Sequence, residues 1–194
     1  MRVTLLSAVI LLAVSSLEAG FVMTVVQEPS GVVASGYGNM DLTGLTYQTT
    51  VPVGTEIDPQ NGVIIAGTPL LSWVDIYSGF TGPTSFGRGS GGYSGAGANG
   101  LIGISGRADL LFVPAGFVSG SFVQGDSFFY GSLASIGIAP GTYVWRWGSE
   151  PNQNFTLNVE AAKIPESSAT LTLLFLSLAP LLVLSLTRSR ANAA

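Results

Sequence analysis

Two neighbouring stretches late in the chain alternate apolar and polar residues with the two-residue period of a β-strand. In residues 142–147 the large aromatic side chains fall on one side, and in residues 154–159 the apolar side chains do the same. Residues 148–153, between them, are rich in turn-forming types. This pattern predicts two antiparallel strands joined as a hairpin, with Phe155, Leu157 and Val159 pointing inward.

Most of the preceding chain consists of short runs of strand-forming residues separated by Gly, Pro and Asn. In residues 70–77, Trp73, Asp75 and Tyr77 share one face of the predicted strand. No segment of residues 20–163 has a sustained 3.6-residue period. We therefore expect an all-β fold, a single sandwich or jelly-roll-like domain. The predicted strands before residue 142 are 21–26, 32–34, 41–47, 49–53, 63–66, 70–77, 101–105, 109–113, 118–123 and 127–136.

Residues 87–106 are dominated by glycine. Such a segment is either a flexible loop or a set of small-residue strands that pack close to other backbone. Residues 87–92 lack the Lys-Ser/Thr ending and the following helix of a phosphate-binding loop, so we expect no nucleotide site there.

The patterns at both ends of the chain predict export signals. Met1 and Arg2 precede an apolar run at 3–14 and smaller residues at 15–19, which predicts a signal peptide over residues 1–19. Residues 169–187 contain no charged residue and would span about 28 Å as a helix, close to a bilayer core. Arg188 and Arg190 follow this predicted transmembrane helix and favour the cytoplasmic side. Residues 20–163 are therefore expected to form a β-rich extracytoplasmic domain.

The C-terminal residues 164–194 resemble the PEP-CTERM sorting signal of Gram-negative bacteria. The resemblance rests on Ile164, Pro165 and Glu166, then the apolar helix, then Arg188 and Arg190. It implies an inner-membrane intermediate, recognition by an exosortase-type transpeptidase, and transfer to the cell surface or the exopolysaccharide matrix. Residues 80–87 and 140–148 also resemble a recurring ectodomain of such proteins, which implies no activity. A permanently membrane-anchored periplasmic domain is the alternative.

The composition limits the chemistry of the chain. It has no cysteine and no histidine, which excludes Ser-His-Asp and Cys-His catalysis and removes the usual zinc ligands. Charged residues make up only 9%, and the net charge is −4. Residues 20–163 contain no basic cluster, so we expect no nucleic-acid binding. We predict a non-catalytic protein without a cofactor or a metal.

Residues 56–62 offer carboxylate and amide oxygens to a calcium ion, but they lack the full loop pattern of a calcium site and also form a good turn. We interpret them as a solvated turn.

The aromatic residues Trp73, Tyr77, Tyr143, Trp145 and Trp147 are the candidates for a ligand-facing surface. Aromatic rings stack on sugar rings, which would make the domain a carbohydrate-binding module on the same export route. The alternative, which we prefer, is that these rings fill the core. Exposure of the rings on one face would favour carbohydrate binding, and their burial would count against it.

Overall fold

The computed structural model describes residues 20–68 and 70–161, and these residues form two six-stranded β-sheets packed as a sandwich. The all-β prediction is therefore confirmed. The predicted signal peptide and the predicted sorting signal with its transmembrane helix lie outside the described residues. Within the described part, no helix is both long enough and apolar enough to cross a membrane.

Sheet A has the strand order β11-β12-β1-β2-β10-β7, and sheet B has the order β4-β5-β8-β9-β6-β3. The strands are β1 (Phe21–Glu28), β2 (Gly31–Asn39), β3 (Thr46–Val53), β4 (Glu56–Asp58), β5 (Val63–Ala66), β6 (Ser72–Ser78), β7 (Gly92–Asn99), β8 (Ile102–Ser105), β9 (Leu110–Pro114), β10 (Phe122–Phe129), β11 (Gly141–Arg146) and β12 (Asn154–Val159). A 3₁₀ turn covers Pro59–Asn61, and a one-turn helix, α1, covers Leu133–Ile136. Strands β1 and β12 pair in parallel, and the other pairings are antiparallel.

Strand β7 joins the two sheets, because it pairs with β10 of sheet A and, through its first two residues, with β4 of sheet B. Its small residues make this possible. A Cβ atom on Gly97 would lie 1.8 Å from the carbonyl oxygen of Gly67, so only glycine allows this backbone approach. The glycine-rich segment is thus partly a small-residue strand, one of the two structures that its composition predicted.

The main core lies between the sheets and contains the alternating inward residues of both. Trp145 is fully buried and packs edge-on against Phe155, with their ring centroids 5.8 Å apart. Phe155 in turn contacts Phe21 across the parallel strand pair, at 5.0 Å. Phe155, Leu157 and Val159 are all buried, as their alternation predicted.

A second apolar cluster belongs to sheet B alone. Strands β6 and β9 alternate between the two clusters: Leu111 and Val113 belong to the main core, whereas Phe112, Val74 and Ile76 belong to the second. Sheet B is therefore apolar on both faces.

Most predicted strands have different limits in the structure. The strand predicted at 32–34 extends over Gly31–Asn39, and Thr46–Val53 form one strand in place of the two predicted at 41–47 and 49–53. Three predicted strands also begin late or end early. The strand predicted at 127–136 ends at Phe129, because Ser132 caps α1 through a reciprocal capping box with Ser135. The strand predicted at 41–47 starts only at Thr46, and the one predicted at 118–123 starts only at Phe122. In both cases the earlier residues form a loop held by Asp41, whose carboxylate accepts hydrogen bonds from the Thr43 amide and the Ser119 hydroxyl.

Candidate functional site

Trp145 and Trp147 are core residues, which agrees with the interpretation that we preferred and counts against their alternative role as ligand-facing aromatics. Their exposed fractions are 0% and 9%. Each indole N–H donates to a backbone carbonyl, that of Trp145 to Pro83 at 2.7 Å and that of Trp147 to Asp41 at 2.7 Å. The rings therefore anchor two loops to the end of the sandwich, and neither ring presents a free face to a ligand.

Trp73 has the opposite environment, because 63% of its side chain is exposed. The preference for a core position is therefore wrong for Trp73. It lies on β6, the strand next to the edge strand β3, and alternates with the buried residues Val74 and Ile76. Tyr77, on the same side of β6, is half-buried and contacts the main core. On this side of β6, Tyr77 therefore lies at the edge of the main core and Trp73 lies in solvent.

The register between β3 and β6 assembles a continuous surface on this side. Tyr47 pairs with Tyr77, Thr50 with Asp75, and Pro52 with Trp73. We call these six residues the β3–β6 face. Trp73 and Tyr77 are separated by four residues of extended strand, or about 13 Å. Tyr47 is 53% exposed and meets Tyr77 edge-on, with their ring centroids 5.7 Å apart. The face therefore has an indole at one end and a pair of phenol rings at the other.

A chain of hydrogen bonds fixes the middle of the β3–β6 face. The Thr50 hydroxyl donates to Asp75 Oδ1 at 2.5 Å, and the Gly116 amide donates to Asp75 Oδ2 at 2.8 Å. The Tyr47 hydroxyl lies 2.8 Å from Thr50 Oγ1. Since the Thr50 proton is directed to Asp75, Tyr47 is the donor in this contact. The chain holds the Tyr47 ring in place and gives each oxygen of the Asp75 carboxylate one protein donor.

The electrostatics of the face keep it neutral apart from Asp75. Burial, followed by the charge of Asp75 and the neighbouring Tyr47, raises the pKa of Tyr77 above its ordinary value. Tyr77 is therefore a protonated phenol at neutral pH. Among the described residues, no group of three or more acidic side chains is placed to hold a metal ion. The surface can stack against flat apolar groups and exchange hydrogen bonds.

The other candidate sites do not assemble in the same way. Asp58 caps the 3₁₀ turn, where one oxygen accepts from the Asn61 amide and the other from the Asn61 side chain. Arg107 donates a hydrogen bond to Asn61 Oδ1 at 3.0 Å and places a positive charge next to the turn. This favours the turn interpretation of residues 56–62 over a calcium site. Residues 87–92 do not have the arrangement of a phosphate-binding loop. The Arg88 amide donates a hydrogen bond to the Gly137 carbonyl, and the segment leads into strand β7 instead of a helix.

The sorting residues Ile164, Pro165, Glu166, Arg188 and Arg190 lie outside the described residues. Sequence reasoning also missed half of the β3–β6 face, namely Tyr47, Thr50 and Pro52. The alternation of residues 70–77 identified the correct side of β6, but only the pairing with β3 shows which residues complete it.

The chain matches no protein-family model, no curated protein and no solved structure. Its function must therefore be inferred from the chemistry of its own residues.

Proposed function

We propose that this chain is an exported, non-catalytic protein of the cell surface or extracellular matrix that contacts exopolysaccharide through the β3–β6 face. The observation that carries the proposal is the exposure of Trp73 and Tyr47 on one side of a two-strand platform. Large aromatic rings are normally buried, and an exposed set on a rigid sheet is typical of a binding surface. The carbohydrate-binding alternative therefore gains support over a purely structural role.

The chemistry of the face fits a sugar chain better than a protein or nucleic acid. A pyranose presents an apolar C–H surface that stacks on an aromatic ring, and hydroxyl groups that need nearby hydrogen-bond partners. The face offers rings at both ends and hydroxyl groups of Tyr47, Thr50 and Tyr77 between them. Its charged member is Asp75, and none of the described basic residues Arg88, Arg107 and Arg146 belongs to it. An uncharged polysaccharide is accordingly the expected ligand class.

Delivery to the matrix is part of the same proposal and rests on the two ends of the sequence. Residues 1–19 have the layout of a signal peptide, and residues 164–194 resemble a PEP-CTERM sorting signal. On this route an exosortase-type transpeptidase acts on the inner-membrane form near Pro165 and Glu166. The competing proposal, a permanently anchored periplasmic domain, keeps residues 169–187 in the mature protein.

The test of the binding proposal is retention on the host's own exopolysaccharide. We expect Trp73→Ala and Tyr47→Ala to reduce retention at least several-fold without changing the thermal melting temperature by more than about 2 °C. Val118→Ala is the control, because Val118 is also a mostly exposed apolar residue but lies in the loop between β9 and β10. Equal retention of all four proteins, including the unmodified chain, would refute a role for the β3–β6 face.

A further inference from the structure

A concave surface lies on the outer face of sheet A and shares no residue with the β3–β6 face. It is an open depression of about 320 Å³, at the lower end of the usual range for small-ligand sites. We call it the β7–β10 groove. Its lining comes from β2, β7 and β10 and consists of Val33, Ala96, Gly97, Ala98, Asp126, Ser127 and Phe128.

Residue size explains why the groove exists. Ala96, Gly97 and Ala98 form a low shelf along β7, and Phe128 pairs with Ala96 across the strands and rises beside it. The Phe128 ring lies over Gly31, where a Cβ atom would come within 2.4 Å of the ring. Gly31 therefore leaves the space that the Phe128 ring needs. Tyr130 meets Phe128 edge-on, with their centroids 5.2 Å apart, and is 70% exposed. The groove has an apolar floor and an aromatic wall.

One carboxylate marks the polar end of the groove. Asp126 Oδ2 accepts a hydrogen bond from Asn99 Nδ2 at 2.6 Å and another from Gln124 Nε2 at 3.1 Å. Both bonds use Oδ2, so within the described part of the chain Oδ1 remains available as an acceptor. The Ser127 hydroxyl is already engaged with the Gly67 backbone and does not contribute. Two planar amides thus hold Asp126 beside the shelf with one oxygen open to a donor.

We infer that the β7–β10 groove is a second saccharide subsite for an uncharged pyranose ring. The C–H face of the ring lies on the alanine shelf against Phe128, whose ring Tyr130 supports from the side, and its hydroxyl groups donate to Asp126 Oδ1. The described basic residues Arg88, Arg107 and Arg146 do not line the groove, so a uronic acid would meet an unscreened carboxylate. This inference rests on the proposed function and extends it: with one site on each sheet, a single domain binds two sugar chains and cross-links them.

The experiment is a titration of the full chain, purified in a polyoxyethylene detergent so that no sugar headgroup competes. The probes are cello-, malto- and manno-oligosaccharides, with oligogalacturonate of the same lengths as the charged comparison. Calorimetry gives the number of sugar chains bound per protein. Light scattering with the neutral polysaccharide of the best-binding series reports cross-linking.

Two variants test the groove without disturbing the core. Ala98→Leu fills the shelf at an exposed position, and Asp126→Asn removes the charge at nearly constant shape. Thr142→Leu, on an exposed position of β11 in the same sheet, is the control for added apolar surface. We expect two neutral sugars per unmodified chain, one for Ala98→Leu, Asp126→Asn or Trp73→Ala, and none for Ala98→Leu combined with Trp73→Ala. Scattering should rise only for the unmodified chain and the control.

The outcomes separate the two proposals. One sugar per chain, lost in Trp73→Ala and unaffected by Ala98→Leu and Asp126→Asn, would overturn the second subsite and leave the β3–β6 face intact. Loss of all binding in Ala98→Leu alone would support the groove and refute the β3–β6 face. No binding of any neutral probe would overturn both. Equally tight binding of oligogalacturonate would overturn the assignment to uncharged sugars.

Discussion

Replacement of Trp145 by alanine should remove a large part of the stability of the sandwich. The side chain is fully buried, and a Trp side chain buries on the order of 150–250 Å². At about 25 cal/mol per Å², this burial contributes roughly 4–6 kcal/mol, and measured Trp-to-Ala losses in cores are about 3–5 kcal/mol. The substitution also leaves the Pro83 carbonyl without its indole donor. We therefore expect a loss of about 4 kcal/mol.

Urea unfolding of residues 20–163, which include both apolar clusters, measures this loss. With a slope of about 2 kcal/mol per M, a loss of about 4 kcal/mol lowers the unfolding midpoint by about 2 M. Trp145→Phe keeps an aromatic ring against Phe155 but cannot donate to Pro83, so it should lose less, about 1–3 kcal/mol. Trp73→Ala is the control, because its ring is mostly exposed, and it should change stability by less than about 1 kcal/mol. Equal midpoints for Trp145→Ala and Trp73→Ala would refute the assignment of the two rings to core and surface.

Three further predictions concern the loop anchor, the sheet junction and the tail. Hydrogen bonds from Thr43, and smaller contributions from Ser119 and Gln153, lower the pKa of Asp41 against the opposing effect of burial. The ionised carboxylate therefore stabilises the fold above its unfolded pKa, and this stabilisation is lost as the pH falls below about 4. Urea melts at a series of pH values should show the full stability difference between the unmodified protein and Asp41→Asn at neutral pH and none at low pH. Gly97→Ala should lower the stability of the protein by about 1–3 kcal/mol or more, because the added Cβ meets the Gly67 carbonyl. Gly92→Ala is the control, because the space around its Cβ is open, and it should change the stability by less than about 0.5 kcal/mol. Equal losses of the two variants in thermal melts would contradict the close approach at β7. Replacing Pro165 and Glu166 with alanine should trap the full-length protein in the inner membrane of its host, as seen by immunoblotting of membrane and matrix fractions; an unchanged distribution would favour a plain anchor.

Local patterns predicted the strands well where alternation was strong and turn residues were clear. Strands β11 and β12, their hairpin and the inward side of β12 follow directly from the sequence, because residues 154–159 alternate without exception. The glycine-rich segment was ambiguous, since glycine has no side chain to reveal a face. The short strand β4 was hidden within a segment that also forms a turn, and α1 was hidden because strand-forming residues precede its capping serine.

Non-local pairing determined what the sequence left open. The parallel contact between β1 and β12 joins the two ends of the described chain, and no local pattern encodes it. The exposure of the aromatic rings is likewise not encoded by a local pattern. Trp73 and Trp145 both occupy alternating strands at or next to a sheet edge, yet Trp73 is mostly exposed and Trp145 is fully buried. Their opposite exposure depends on which distant residues pack over them, so the β3–β6 face becomes visible only in the assembled sheet.

The intact mass of the protein recovered from the host's washed exopolysaccharide reports location and processing in one measurement. If the protein is exported and sorted as proposed, the recovered polypeptide lacks residues 1–19, ends near Pro165 and Glu166, and does not contain residues 169–187. Recovery of the protein only from the inner membrane, with residues 169–187 present at full stoichiometry, would refute sorting to the matrix and establish an anchored domain.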